Sequence, residues 1–180
     1  MQEKNNVESI SFTKVSLPYG WLGNMAPYPV TYNNREYKTT EALFQSLRFM
    51  SHPEIVDEIC EQKSPMSAKM VAKKYVHVLA EDGYQSLGQQ DIDNMVLCLR
   101  LKVEQHPQLK EELLNTHNRV IIEDCSSRPH GSGLFWGSAF DKTTGTWEGR
   151  NVLGVLWMQL REELVNNLNH DVTSSAKPRL

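Results

Sequence analysis

The stretch Tyr28-Pro29-Val30-Thr31-Tyr32-Asn33-Asn34-Arg35-Glu36-Tyr37-Lys38-Thr39-Thr40-Glu41-Ala42-Leu43-Phe44-Gln45-Ser46-Leu47-Arg48-Phe49 changes its period midway. Tyr28 to Tyr32 and Glu36 to Lys38 read as two strands, and Asn33-Asn34 between them tolerates the positive φ of a tight hairpin turn. Thr40 is a suitable N-cap, and Glu41 to Phe49 then follows a helical pattern. Positions three, four and seven apart share a helix face, so Glu41, Phe44, Gln45 and Arg48 line up, with Leu43, Leu47 and Met50 as an apolar back. Such a polar front sits in a cleft or at the surface. On periodicity alone its ordinary role is a wet face with a Glu–Arg interaction along the helix.

Outward from this point helices dominate. Pro53 opens a short helix to about Cys60, and Ser64-Pro65 caps one to about Tyr75. About Asp91 to Glu104 carries an apolar stripe of Ile92, Met95, Val96, Leu99 and Val103. Pro107 starts a helix to about Asn115, Val120 to Ile122 reads as a strand, and Asn151 to Leu168 as the last helix. Residues 125–149 are rich in Gly, Ser and Thr and read as a long ordered loop. The pattern predicts an α+β fold, mainly α-helical, with a small β-hairpin or sheet in one domain over 11–168. Residues 1–10 and 169–180 read as flexible termini.

The 180 residues, 39% of them hydrophobic, suffice for one self-supporting core. A net charge of −3 argues against nonspecific wrapping of nucleic acid, whose affinity comes from phosphate neutralisation. It leaves room for a pocket that takes one modified nucleotide. Cys60, Cys98 and Cys125 are odd in number and form no C-x-x-C pair, which fits reduced thiols in a cytoplasmic protein. Met1 to Ile10 is polar, unlike a signal peptide, and no apolar run has the length of a membrane span. The histidines show no metal-ligand spacing, Gly131-Ser132-Gly133 lacks the dinucleotide-binding spacing, and no nucleophile elbow is present.

Two loops carry further candidates. In Trp21-Leu22-Gly23-Asn24-Met25-Ala26-Pro27, Asn24 caps a turn or bonds a ligand. In Leu134-Phe135-Trp136-Gly137, a flat indole beside a glycine forms a stacking platform for a base or plain core packing. Gly149-Arg150-Asn151 opens the last helix, with Asn151 as a cap and the exposed amides as a natural phosphate site.

As an ordered set these segments resemble the NADAR superfamily, the YbiA-like N-glycosidases, from about Trp21 to about Glu163. The opening motif stands as Trp21 to Met25, and the T-x-E-x-x-F-Q-x-x-K-F signature as Thr39 to Phe49. Ser64 to Lys69, Met95 to Lys102, Ile121-Ile122-Glu123, Trp136-Gly137 and Gly149 to Arg161 match the later motifs in order. The departures are Gly23 for serine, Arg48 for lysine, Ala72-Lys73 for Gly-Arg, Leu87 for tryptophan and Gly133 for aspartate.

The resemblance implies hydrolysis of an N-glycosidic bond between a base-like nitrogen and ribose phosphate or ADP-ribose, without cofactor or metal. It implies a small nucleotide-like substrate, a riboflavin-pathway ribosylamino-pyrimidine phosphate, or ADP-ribosylated guanine in nucleic acid. A module that binds ADP-ribose or NAD without cleaving it is the alternative. Glu41 is the expected catalytic carboxylate. Asn24 and Gln45 would orient it or the ribose, Arg48 would bind phosphate with Lys69 or Lys73, Trp136 and Gly137 would face the base, and Asn151 would hold the loop or a phosphate. Glu123 is a second acid or a structural cap.

Overall fold

The structure, a computed structural model, describes residues 8–175. The chain begins with β1 (Ser9–Phe12), in which Ile10 and Phe12 point inward and alternate with exposed serines. A 3-10 turn, Gly20–Leu22, leads to β2 (Val30–Tyr32) and β3 (Arg35–Tyr37), paired antiparallel with Val30 opposite Tyr37. Asn33 and Asn34 have φ of 48° and 60°, the left-handed pair that a two-residue hairpin turn requires.

Helix α1 (Thr40–Leu47) follows. Its cap is Thr39, not Thr40: Thr39 is extended and its side chain accepts from the Ala42 amide at 3.2 Å. Thr40 instead donates its hydroxyl to the Asn24 carbonyl at 3.1 Å, inside the core. α2 (Pro53–Glu61) and α3 (Pro65–Lys74) each open on proline, whose φ already suits a helix. Ser64 caps α3 by accepting from the Ser67 amide. α4 (Val76–Glu81), which no strong periodicity marks, continues past a break at Tyr75. α5 (Gln89–Gln105) and α6 (Pro107–Leu114) complete the helical body.

β4 (Val120–Glu123) then returns to pair parallel with β1, placing Glu123 opposite Phe12. Ser9 and Ile10, read as lead-in, are therefore strand residues, because Ile10 and Phe12 are buried in the core. Beyond β4 lie α7 (Ser132–Trp136) and the hairpin β5 (Ala139–Asp141) and β6 (Thr146–Glu148). The long loop expected over 125–149 is thus partly regular. Its strands are three residues each, too short to print a pattern on a Gly/Ser/Thr background. α8 (Val152–Ser175) runs past Leu168, where the sequence places its end. The expectations for residues 1–7 and 176–180 lie outside the described residues.

The fold is α+β and mainly helical, with three two-stranded sheets among the described residues. Two packing decisions set up the rest. α1 lies at the centre, against α2, α3 and α5, and all eight of its residues are buried. Its polar front is therefore not the wet face that periodicity alone suggests. α8 lies against β4, and Gly154 permits this: a Cβ built there falls 2.2 Å from the Ile121 carbonyl oxygen.

Gly154→Ala is expected to lower thermal stability, although alanine favours a helix over glycine by about 1 kcal/mol. The overpacking against backbone costs about 1–3 kcal/mol. Differential scanning calorimetry checks this; an unchanged or raised melting temperature would contradict the contact.

Candidate active site

Burying the polar face of α1 forces each of its groups to find a partner. Gln45 Nε2 donates to Glu41 Oε1 at 2.9 Å, one helical turn away. The Arg48 Nη1 lies 3.4 Å from Gln45 Oε1, and its Nε and Nη2 form a fork on Asp91 at 2.9 and 2.8 Å. Asp91 is wholly buried in the first turn of α5. It also accepts from the Tyr84 hydroxyl and the Leu87 amide, both at 2.6 Å. Burial and the Asp91 carboxylate hold the Tyr84 phenol well above its ordinary pKa. Leu87, at a φ of 61°, presents its amide from a left-handed bend.

Arg48 is expected as a phosphate ligand, and here its fork is already filled by Asp91. This guanidinium is 15% exposed and is held by a fully buried carboxylate. It also lies over the Phe44 and Tyr84 rings, at 5.3 and 5.8 Å from their centroids. Asn24, expected to orient a ligand, packs under the start of α1. Its carbonyl accepts from the Glu41 amide at 2.9 Å and from the Thr40 hydroxyl, and its Nδ2 lies 3.1 Å from Met95 Sδ.

The loop that carries Asn24 is pinned from below by Lys102. This buried side chain donates to the carbonyls of Trp21 and Gly23 at 2.5 and 2.9 Å. Burial pushes its ammonium pKa down to about 7. Lys102 closes the Met95 to Lys102 motif without an expected role, yet it falls on the buried side of α5 with Met95, Cys98 and Leu99, and a lysine there signals an anchoring role.

The second wall comes from β4 and the segment after it. Trp136 is half-buried, edge-on to Phe44 and Phe135 at centroid distances of 5.6 and 4.9 Å. Gly137 lies so close to β4 that a Cβ there would meet the Glu123 carbonyl oxygen at 2.4 Å. Asn151, at a φ of 49°, spends its side chain on the same strand: Oδ1 accepts from the Glu123 amide at 3.0 Å and Nδ2 donates to the Ile121 carbonyl at 2.8 Å. Gly137, expected to face the base, and Asn151, expected to hold the loop or a phosphate, both hold the end of β4. At that end the Glu123 Oε2 is shut off from solvent with no hydrogen-bond partner.

The structure therefore brings Glu41, Gln45, Phe44, Trp136 and Glu123 toward one another. Lys69 on α3 is near enough that its charge acts on Glu123, as do those of Glu41 and Arg128. Among the described residues Lys69 forms no ion pair, and no group of three His, Cys, Asp or Glu is placed to hold a metal ion. A separate cavity of about 170 Å³ borders the start of α1, lined by residues that include Met25, Thr39, Ala42, Ile59, Cys60 and Ala68. No helix among the described residues is long and apolar enough to cross a membrane.

A model of the NADAR domain family matches residues 11–165. The chain is similar to N-glycosidase YbiA of Escherichia coli strain K12, 30% identical over 155 residues, which is 86% of this chain and 88% of that one. It is also similar to the riboflavin biosynthesis protein PYRR, chloroplastic, of Zea mays, 30% identical over 174 residues, covering 88% of this chain and 26% of that longer one. The NMR structure of E. coli YbiA superposes with a TM-score of 0.68 at 25% identity, covering 96% of this chain and 90% of that one. A family model over most of its length and a 30% identical relative that it nearly spans show that the chain belongs to the NADAR domain family.

Proposed function

We propose that the chain is a hydrolase of N-glycosyl bonds and that it cleaves a base-like nitrogen from ribose phosphate. The observation that carries this reading is the buried Glu41, 6% exposed and held from one side by Gln45. Breaking a ribosyl C–N bond builds positive charge at the anomeric carbon, and a fixed carboxylate in a water-poor site stabilises that charge. The same carboxylate accepts a proton from the water that attacks. Relatives named N-glycosidase support the reaction class. The similarity to a riboflavin biosynthesis protein favours a ribosylamino-pyrimidine phosphate over ADP-ribosylated guanine.

The other residues take roles that fit their geometry. Gln45 orients Glu41. Arg48 supports Gln45 and is itself fixed by Asp91, so phosphate falls to Lys69 with help from Arg128. Trp136 offers the base an aromatic wall. Asn24 shapes the floor through its backbone carbonyl. A lysine and an arginine near enough to act on Glu123, together with the carboxylate of Glu41, suit a substrate that is anionic at its phosphate and cationic at its transition state.

Two expected outcomes follow. Glu41→Gln should lower release of sugar phosphate from a ribosylamino-pyrimidine phosphate by about 10²-fold or more. DNA carrying ADP-ribosylated guanine, assayed in parallel for release of ADP-ribose, is expected to be the poorer substrate. Binding without release in both proteins would replace the glycosidase by a recognition module. Asp91→Asn removes the charge that matches Arg48 and should cost about 3 kcal/mol in urea unfolding. Wild-type stability in that variant would show that Arg48 is free to serve a ligand.

A further inference from the structure

Glu123 combines a tightly held backbone with an unsatisfied side chain. Its amide donates to Asn151 Oδ1 and its carbonyl accepts from the Ser138 amide at 2.8 Å. Gly137 presses against that carbonyl, and the ladder to β1 fixes the residue opposite Phe12. Four separate contacts thus position this residue, yet its Oε2 is enclosed and accepts nothing. A glutamate serving as a local cap would spend its carboxylate on backbone amides. An enclosed carboxylate oxygen without a donor favours the protonated acid, since ionisation there lacks solvation.

Resting on the glycosidase reading above, we propose that Glu123 is the proton donor to the departing nitrogen, a second catalytic residue that works with Glu41. As the C–N bond breaks, its electron pair goes to the nitrogen, which takes the Glu123 proton. Water adds to the anomeric carbon and yields a proton to Glu41. The products are the sugar phosphate and the N–H base. Glu123 is left ionised and Glu41 protonated, and exchange with solvent restores both.

The surroundings favour the protonated form of Glu123. Burial, and then the Glu41 charge, push Glu123 up to about 7, against smaller opposing effects of Lys69 and Arg128. Those three residues come from α1, α3 and the segment before α7, and the Cys125 thiol, raised by burial and then by the Glu123 charge, is a further titratable group beside it. β1 places Phe12 opposite it, and the uncharged Asn151, just before α8, binds its backbone amide. A carboxyl raised toward neutrality beside a second carboxyl is suited to donate a proton at neutral pH.

The test uses the full chain as wild type, Glu123→Gln and Glu41→Gln, with a ribosylamino-pyrimidine phosphate, across pH. The protonated acid is the active form, so wild-type turnover is expected to fall as pH rises through about 7. Glu123→Gln is expected to lose about 10²-fold or more and to lack that limb, with unchanged melting temperature. Difference infrared spectra without substrate are expected to show a protonated-carboxyl band that titrates near pH 7, vanishes in Glu123→Gln, and titrates at lower pH in Glu41→Gln. Wild-type release with Glu123→Gln keeping its rate or its limb would overturn the proton donor alone. No release by the wild type would overturn the glycosidase reading and this one with it. Absence of the infrared band would overturn the assignment of Glu123 whatever the turnover.

Discussion

A helix that carries Glu41 and Gln45 and is capped by the half-buried Arg48 is buried whole at the centre of this protein, and the rest of the structure answers that constraint. Charges and amides taken out of water must be matched or must remain costly. Asp91 shows the matched case. Two guanidinium nitrogens, a phenol and a backbone amide converge on it, and it acts as scaffold. Glu41 and Glu123 show the opposite case. The first has a side-chain amide on one oxygen, and the second has an enclosed oxygen with no donor. Incomplete satisfaction leaves a carboxyl available to a substrate, and complete satisfaction removes it.

The supporting parts follow the same logic at one remove. Lys102 ties down the loop whose Asn24 carbonyl receives the Glu41 amide. Asn151 and Gly137 tie down the strand end that carries Glu123. Each uses hydrogen bonds to backbone, or contact with it, and that leaves the carboxyls themselves untouched. At Glu123 burial, and then the charge of Glu41 brought near from a separate element, raise the cost of ionisation.

Much of the frame was legible in the chain. The Asn33-Asn34 turn, the proline starts of α2, α3 and α6 and the Ser64 cap are local events, and local chemistry reads them. The strand β1 was not legible, because its reason to exist is a parallel partner 111 residues away, as Ser9 opposite Val120. The burial of the α1 front was hidden for a similar cause. Periodicity shows that Glu41, Gln45 and Arg48 share a face, but only tertiary packing shows Asp91 and Tyr84 waiting on the other side. Gly137 and Asn151 were seen as functional residues. In the fold both also hold the backbone of Glu123, which no spacing along the chain reveals.

The most direct measurement is a crystal structure of Glu41→Gln soaked with a ribosylamino-pyrimidine phosphate. The expected result places the anomeric carbon between position 41 and Glu123, the leaving nitrogen toward Glu123, and the phosphate at Lys69 and Arg128. A ligand seated instead in the cavity beside Thr39, Ala42 and Ala68, with Glu41 and Glu123 untouched, would contradict it.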